Sequence, residues 1–259
     1  MFNRKTPLPK GSKKLIGAWT LYDWANSVYS LVISTAIFPI YYSEYIFANS
    51  DSILLFNMDI NRDTVISLVS ATSFMIVAFL SPLLSGIADY LGNKKVFMKF
   101  FVFMGSFSCI GLYWFELETI QLGLILYMLA LVGLWGSLVF YNSYLPDITY
   151  PKQTNMVSAK GFTMGYIGSV ILLIVNLIMI TYYEQLNLSS EVQAMKYSFV
   201  LVGVWWLLFS QYSFYHLPRG NKGVKLPKNI IWNGFRELKG VYKIIRSSKK
   251  FTRFLTAFF

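Results

Sequence analysis

Only a few residues in this chain combine a reactive type with a telling position. Tyr22-Asp23-Trp24-Ala25-Asn26-Ser27 places one carboxylate inside an apolar run, and Ser30 and Ser34 follow. Positions 23, 27, 30 and 34 recur at the helical period, so Asp23, Ser27, Ser30 and Ser34 are predicted to share one face of a helix. An acid near the centre of a membrane helix costs roughly 2.5–3.5 kcal/mol, less toward the interface, and is normally retained where it faces a cavity or a partner. The polar face is therefore expected to look into a helix bundle. Lys160 opens a second apolar run, and Asp23 and Lys160 are the only acid and base within these two runs. A zwitterion such as an amino acid needs a carboxylate for its ammonium and a cation or helix end for its carboxylate, and this pair could supply both. The same two residues could instead close on each other as a gate, or Asp23 could carry a coupling proton. The plainer alternative for Lys160 is a lysine snorkelling to the interface. Asn26, Tyr141, Asn142 and Tyr166 complete the set predicted to line the same cavity.

Enzymatic chemistry has little to build on. The chain has one His (His216) and one Cys (Cys109), and no Ser, His and Asp come together in one region. A single cysteine, Cys109, inside an apolar run, excludes an intrachain disulfide and a thiolate metal cluster. No phosphate-binding Gly loop ending in Lys-Ser/Thr is present, so ATP-driven transport within this chain is not expected. No cofactor is expected.

The elements that must position these residues are membrane helices. Of 259 residues, 55% are hydrophobic, 18% aromatic and only 14% charged, with a mean hydropathy of +0.49, too apolar for an ordinary soluble domain. The net charge of +11 does not indicate nucleic acid, because the charges sort by membrane side. With the N-terminus cytoplasmic, all 23 Lys and Arg residues except Arg62 and Lys196 fall in inner segments. Glu44, Asp51, Asp59, Asp63, Glu116, Glu118, Glu184 and Glu191 fall outside. The positive-inside rule then puts both ends in the cytoplasm, which requires an even number of spans, and six are predicted.

Residues 1–14 form a basic cytoplasmic N-terminus with no cleavable signal peptide. Residues 15–216 form the six-helix bundle. The first span covers residues 15–42, with Pro39 near its outer end, where a kink is tolerable. A polar, acidic outer loop follows to residue 63. Pro146 and Asp147 are expected to end the fourth span. Residues 155–158 are expected to cap the fifth, in which Gly161, Gly165 and Ser169 make a small-residue packing ridge.

The hairpin between the second and third spans carries Ser85-Gly86-Ile87-Ala88-Asp89-Tyr90-Leu91-Gly92-Asn93-Lys94-Lys95. Its short turn predicts antiparallel neighbours of residues 64–88 and 96–115, each long enough for a hydrocarbon core of roughly 30 Å. These residues resemble the Gly-x-Leu-Ala-Asp-x-x-Gly-Arg-Lys-Arg loop of the major facilitator superfamily. Ile87, Ala88, Asp89, Gly92, Lys94 and Lys95 match in register, whereas Ser85 replaces the first Gly and Asn93 an Arg. The resemblance implies that Asp89, Gly92, Lys94 and Lys95 form a cytoplasmic gating loop, with Asp89 facing a helix N-terminus of the other half. The alternative is that Asp89 caps a helix and the lysines set topology.

Three further segments, Tyr22 to Ser27, Phe140-Tyr141-Asn142-x-x-Leu145-Pro146-Asp147 and Ser158-x-Lys160-Gly161-x-x-x-Gly165-Tyr166-x-Gly168-Ser169, are similar to the vacuole-effluxer-like branch of that superfamily. This resemblance covers most of the chain. It implies an all-α membrane protein forming the N-terminal half of a major facilitator fold, which moves a small solute by alternating access between two six-helix halves. Fungal members export amino acids from the vacuole, so amino acids are one expected cargo, with proton coupling open. The partners implied are the lipid bilayer, the solute and a missing C-terminal half, with no nucleic acid. The membrane is the plasma membrane for a bacterial member and the vacuolar membrane for a fungal one. A six-span subunit needing a partner chain, or a non-transporting structural membrane protein, is the alternative.

Residues 217–250 read as a basic cytoplasmic linker in which Ile231, Phe235, Leu238, Tyr242 and Ile245 recur at helical spacing. This is an amphipathic helix on the inner leaflet or a helix packed between domains. Residues 251–259 reach only about 13 Å as a helix and read as the truncated start of a seventh span.

Overall fold

The computed structural model describes residues 8–48, 50–55, 58–91 and 93–218, together with Ser247 and Arg253. The expected linker helix and seventh-span start lie outside the described residues, apart from those two, and Gly92 lies outside them as well. Six helices build the bundle: α1 (Lys13–Val28), α2 (Arg62–Leu91), α3 (Lys94–Gly111), α4 (Ile120–Ile148), α5 (Thr154–Thr181) and α6 (Glu191–His216). Helices α2 to α6 are each long and apolar enough to cross a membrane. Helix α1 has 16 residues, about 24 Å. It continues without interruption through π-helical turns at Tyr29–Ile37 and Tyr41–Ile46, joined by the α-turn Phe38–Ile40.

The widened turns have a local cause. Pro39 brings no N–H to the helical ladder and its ring crowds the carbonyl four residues back, so the preceding turns open to i→i+5 bonding. The Phe38 N–H accordingly donates to the Ile33 carbonyl, and Thr35 Oγ1 donates to the Ser30 carbonyl at 2.8 Å. The expected kink at Pro39 is thus spread over two π-helical segments. Past Ile46 the predicted outer loop contains a small antiparallel hairpin, β1 (Ser52–Leu55) and β2 (Met58–Asn61), with Ser52 opposite Asn61.

In lateral order α2 packs on α4, α4 on α3, α3 on α6, α6 on α1 and α1 on α5. The short α2–α3 turn does not make those two helices principal neighbours, because α2 lies mainly on α4. A close backbone approach lies between α3 and α4. A Cβ on Gly133 would sit 2.6 Å from Gly105 Cα and 2.8 Å from the Phe101 carbonyl. Aromatic side chains fill the core around it, with Trp19, Trp206, Tyr22, Tyr29 and Phe38 fully buried. Pro146 does not end α4, which runs on to Ile148, and α5 begins at Thr154 after a 3-10 turn at Pro151–Gln153.

At the basic end of the bundle, lysines cap helix C-termini, whose carbonyls lack helical donors and carry partial negative charge. Lys10 Nζ donates to the Pro146 carbonyl at 2.9 Å. Lys94 Nζ reaches Asp147 Oδ2 at 3.0 Å and the Ser143 carbonyl at 3.3 Å. Lys95, only 3% exposed, donates to the carbonyls of Phe214, at 2.8 Å, and Leu217. The Tyr144 hydroxyl donates to the Pro218 carbonyl at 3.2 Å. Both lysines of the hairpin motif are therefore bound to helix ends of the same six-helix unit. Replacing Lys95 with Met strips donors from two buried carbonyls, and is expected to cost about 2–3 kcal/mol. Thermal unfolding in detergent checks this, with Lys95→Arg retaining more of the stability than Lys95→Met.

Candidate functional site

The site grows from the contact between α1 and α5. The predicted ridge on α5 lets the two backbones approach closely. A Cβ on Gly161 would overlap Asp23 Oδ2, one on Gly165 would overlap Ser27 Oγ, and one on Gly168 would fall 2.8 Å from the Trp24 carbonyl. The ridge is Gly161, Gly165 and Gly168, all facing α1, and Ser169 beside it returns its hydroxyl to the Gly165 carbonyl at 2.8 Å. Small residues are required here because the polar stripe of α1 occupies the space that side chains would take.

Asp23 is 8% exposed. Its Oδ2 accepts a hydrogen bond from the Tyr141 hydroxyl at 2.6 Å. Tyr141, from α4, is held from three directions. Its ring stacks on Trp19 at 4.3 Å and 12°, Trp19 Nε1 donates to its carbonyl at 3.0 Å, and the Tyr22 ring leans against it at 4.9 Å. Tyr22 is fixed in turn by a 2.6 Å bond from its hydroxyl to Ser137 Oγ. The carboxylate therefore sits in a preorganised aromatic cradle, with one short hydrogen bond defining its orientation.

One helical turn along α1 a cavity of about 260 Å³ opens, lined by Ser27, Ser30, Leu31, Thr35, Phe162, Tyr166 and Ser169. Ser27, Ser30 and Tyr166 of the predicted set meet here, while Asp23 and Tyr141 are not among its lining residues. Tyr166 is 72% exposed and stands at the open side. Asn26 is buried, and its amide donates to the Tyr22 carbonyl of its own helix at 2.9 Å. Asn142 and Lys160 are exposed and do not line this cavity, and no ion pair joins Lys160 to Asp23 among the described residues. Thr35, Phe162 and Ser169 are lining residues not picked out from the sequence as solute-facing. Ser169 had a signal, its place four residues beyond Gly165, whereas Thr35 enters only because π-helical turns rotate it into the wall. Of the hairpin set, Asp89 belongs to the last turns of α2, and Lys94 and Lys95 make the contacts already described. No group of three or more His, Cys, Asp and Glu side chains able to hold a metal occurs among the described residues.

A buried carboxylate beside a small hydroxyl-lined cavity between membrane helices suits solute passage rather than bond chemistry. The chain is 36% identical over 244 residues, 93% of its length, to the uncharacterized MFS-type transporter YxiO of Bacillus subtilis (strain 168), covering 55% of that protein. It is 28% identical over 159 residues, 61% of its length, to an uncharacterized protein of Aquifex aeolicus (strain VF5), covering 36% of it. The chain thus spans about half or less of the length of these curated relatives. No solved structure matches significantly. The family described as vacuole effluxer Atg22 like matches residues 11–259. The chain is a multi-pass integral membrane protein of a transporter family, not an enzyme, and it belongs to the family described as vacuole effluxer Atg22 like.

Proposed function

We propose that this chain is the N-terminal half of a secondary active transporter that moves a small zwitterionic solute, an amino acid, by alternating access. One observation carries the reading. A hydroxyl-lined cavity opens between α1 and α5, one turn from a carboxylate fixed by Tyr141. The hydroxyls supply donors and acceptors without net charge, and the carboxylate faces the cationic end of the solute or carries a coupling proton. Tyr166 and Lys160 lie on the exposed side of α5, where the second half would complete the cavity and Lys160 would meet the solute carboxylate. The exposed faces of α2 and α5 fit this arrangement, because they carry large apolar side chains such as Phe79 and Phe162, which lipid or a second six-helix half would cover. In this reading both ends are cytoplasmic, the lysine-capped end of the bundle faces inward, and Asp89 latches that side against the second half.

Counterflow tests the function without presupposing a driving ion. Proteoliposomes of the full-length protein, loaded with unlabelled amino acids, are expected to accumulate the matching labelled amino acid transiently above equilibrium. Absence of counterflow for every amino acid tested, with protein present in the vesicles, would overturn the amino-acid reading.

A further inference from the structure

The polar stripe read from the sequence does not line a single cavity. Ser27, Ser30 and Thr35 face the cavity beside α5, whereas Ser34 lines a second one of about 430 Å³ at the acidic end of the bundle, between the first helix, α2 and α4. The division follows from the π-helical turns at Tyr29–Ile37, which add a residue per turn and swing Ser34 off the line of Ser27 and Ser30. Helix α2 brings Asp63, Ser67 and Ser70 to this second cavity at i, i+4 and i+7, one face of a helix. Tyr127 of α4 lines it as well, so three helices contribute hydroxyls to one cavity. The floor is aromatic, with Phe38 stacked on Tyr127 at 4.3 Å and 16°.

We propose that this cavity is a second station on the solute path, which receives a cationic amine through Asp63 at its mouth and through the hydroxyls of Ser34, Ser67, Ser70 and Tyr127. Asp63 is the one formally charged residue among the described lining. The neighbouring cation, Arg62, donates to the Ser43 carbonyl at 3.0 Å and pairs with Asp51 at 3.6 Å, closer than its 3.9 Å approach to Asp63. Aromatic faces favour a cation and disfavour an anion. Hydroxyls complete the hydrogen bonds of an ammonium without adding charge. As a station on a path the cavity rests on the transport reading, but its preference for cations does not.

Thiol labelling separates the two. Cys109, the one cysteine of these 259 residues, is buried, and with any cysteine elsewhere in the full-length protein replaced, Ser67→Cys puts a thiol of similar size one turn from Asp63. The rates to compare are those of trimethylammonium-ethyl and sulfonato-ethyl methanethiosulfonate on the full-length protein, normalised to the same ratio for free mercaptoethanol. The cationic reagent is expected to be favoured about tenfold, and Asp63→Asn should bring the ratio within about twofold of the free thiol. Millimolar ethanolamine should slow labelling by the uncharged methyl reagent at least threefold, and ethylene glycol should not. A ratio equal to the free thiol, insensitivity to Asp63→Asn, equal effects of the two protectants, or no reaction where an exposed Thr64→Cys control labels would each overturn the proposal. Charge selectivity without counterflow would leave the amine site standing and remove only its place on a transport path.

Discussion

Gly133→Ala is expected to lower the thermal midpoint of the detergent-solubilised protein by about 6–10 °C. The added methyl would lie 2.6 Å from Gly105 Cα, 2.7 Å from Gly105 N and 2.8 Å from the Phe101 carbonyl. Every one of these atoms is backbone, so no side chain can rotate away, and relief requires α3 and α4 to separate. Separation is opposed by α6, whose Trp206 ring abuts Gly105 so closely that a methyl there would overlap it. Overpacking of this kind costs about 3 kcal/mol, which in a chain of this size corresponds to the stated shift. Gly17→Ala is the matched control. Nothing lies within 4 Å of its Cβ position, so the helix gains about 0.5–1 kcal/mol from the lost backbone freedom. Equal midpoints for Gly133→Ala and the parent protein would refute the close-approach argument.

Asp23→Asn is expected to reduce solute flux through the full-length transporter at least tenfold, with its amount in the membrane unchanged. The substitution keeps shape and keeps an oxygen for the Tyr141 hydroxyl, which lies 2.6 Å from Oδ2, so the cradle of Trp19, Tyr22 and Tyr141 should persist. What disappears is the charge, and with it any attraction for the cationic end of a solute or any capacity to carry a proton. Tenfold corresponds to about 1.4 kcal/mol, a modest demand on a carboxylate in a partly desolvated site. Tyr141→Phe separates charge from positioning. It retains the stacking on Trp19 at 4.3 Å and removes only the hydrogen bond, so its loss of flux should be smaller than that of Asp23→Asn. Unchanged flux for Asp23→Asn in reconstituted vesicles would make the carboxylate structural.

Several features were legible along the chain because they depend on neighbours in sequence. Apolar runs of membrane length, the helical recurrence of positions 23, 27, 30 and 34, and glycines spaced four apart on α5 are all properties of single segments. The gating-loop resemblance drew attention to Lys94 and Lys95, and the structure binds both to helix C-termini within one six-helix unit. Asn26 illustrates the limit of periodicity. It sits next to the predicted polar face, but its amide is satisfied by the Tyr22 carbonyl four residues back. The stripe Asp63, Ser67 and Ser70 carried the same helical signal as that of the first span, and was overshadowed by the acidic loop before it.

By itself the sequence determined the membrane character, the family and the presence of a carboxylate among hydroxyls in the first span. Hydrophobic run length, charge and motif spacing are local quantities, and the bilayer acts on each segment separately. Only the tertiary structure decided that α2 lies on α4 rather than on α3, that Tyr141 orients Asp23, and that one polar stripe serves two cavities. These depend on which helices meet and at what rotation. Rotation was set by Pro39 through the π-helical turns, and contact by glycines that let backbones approach closely.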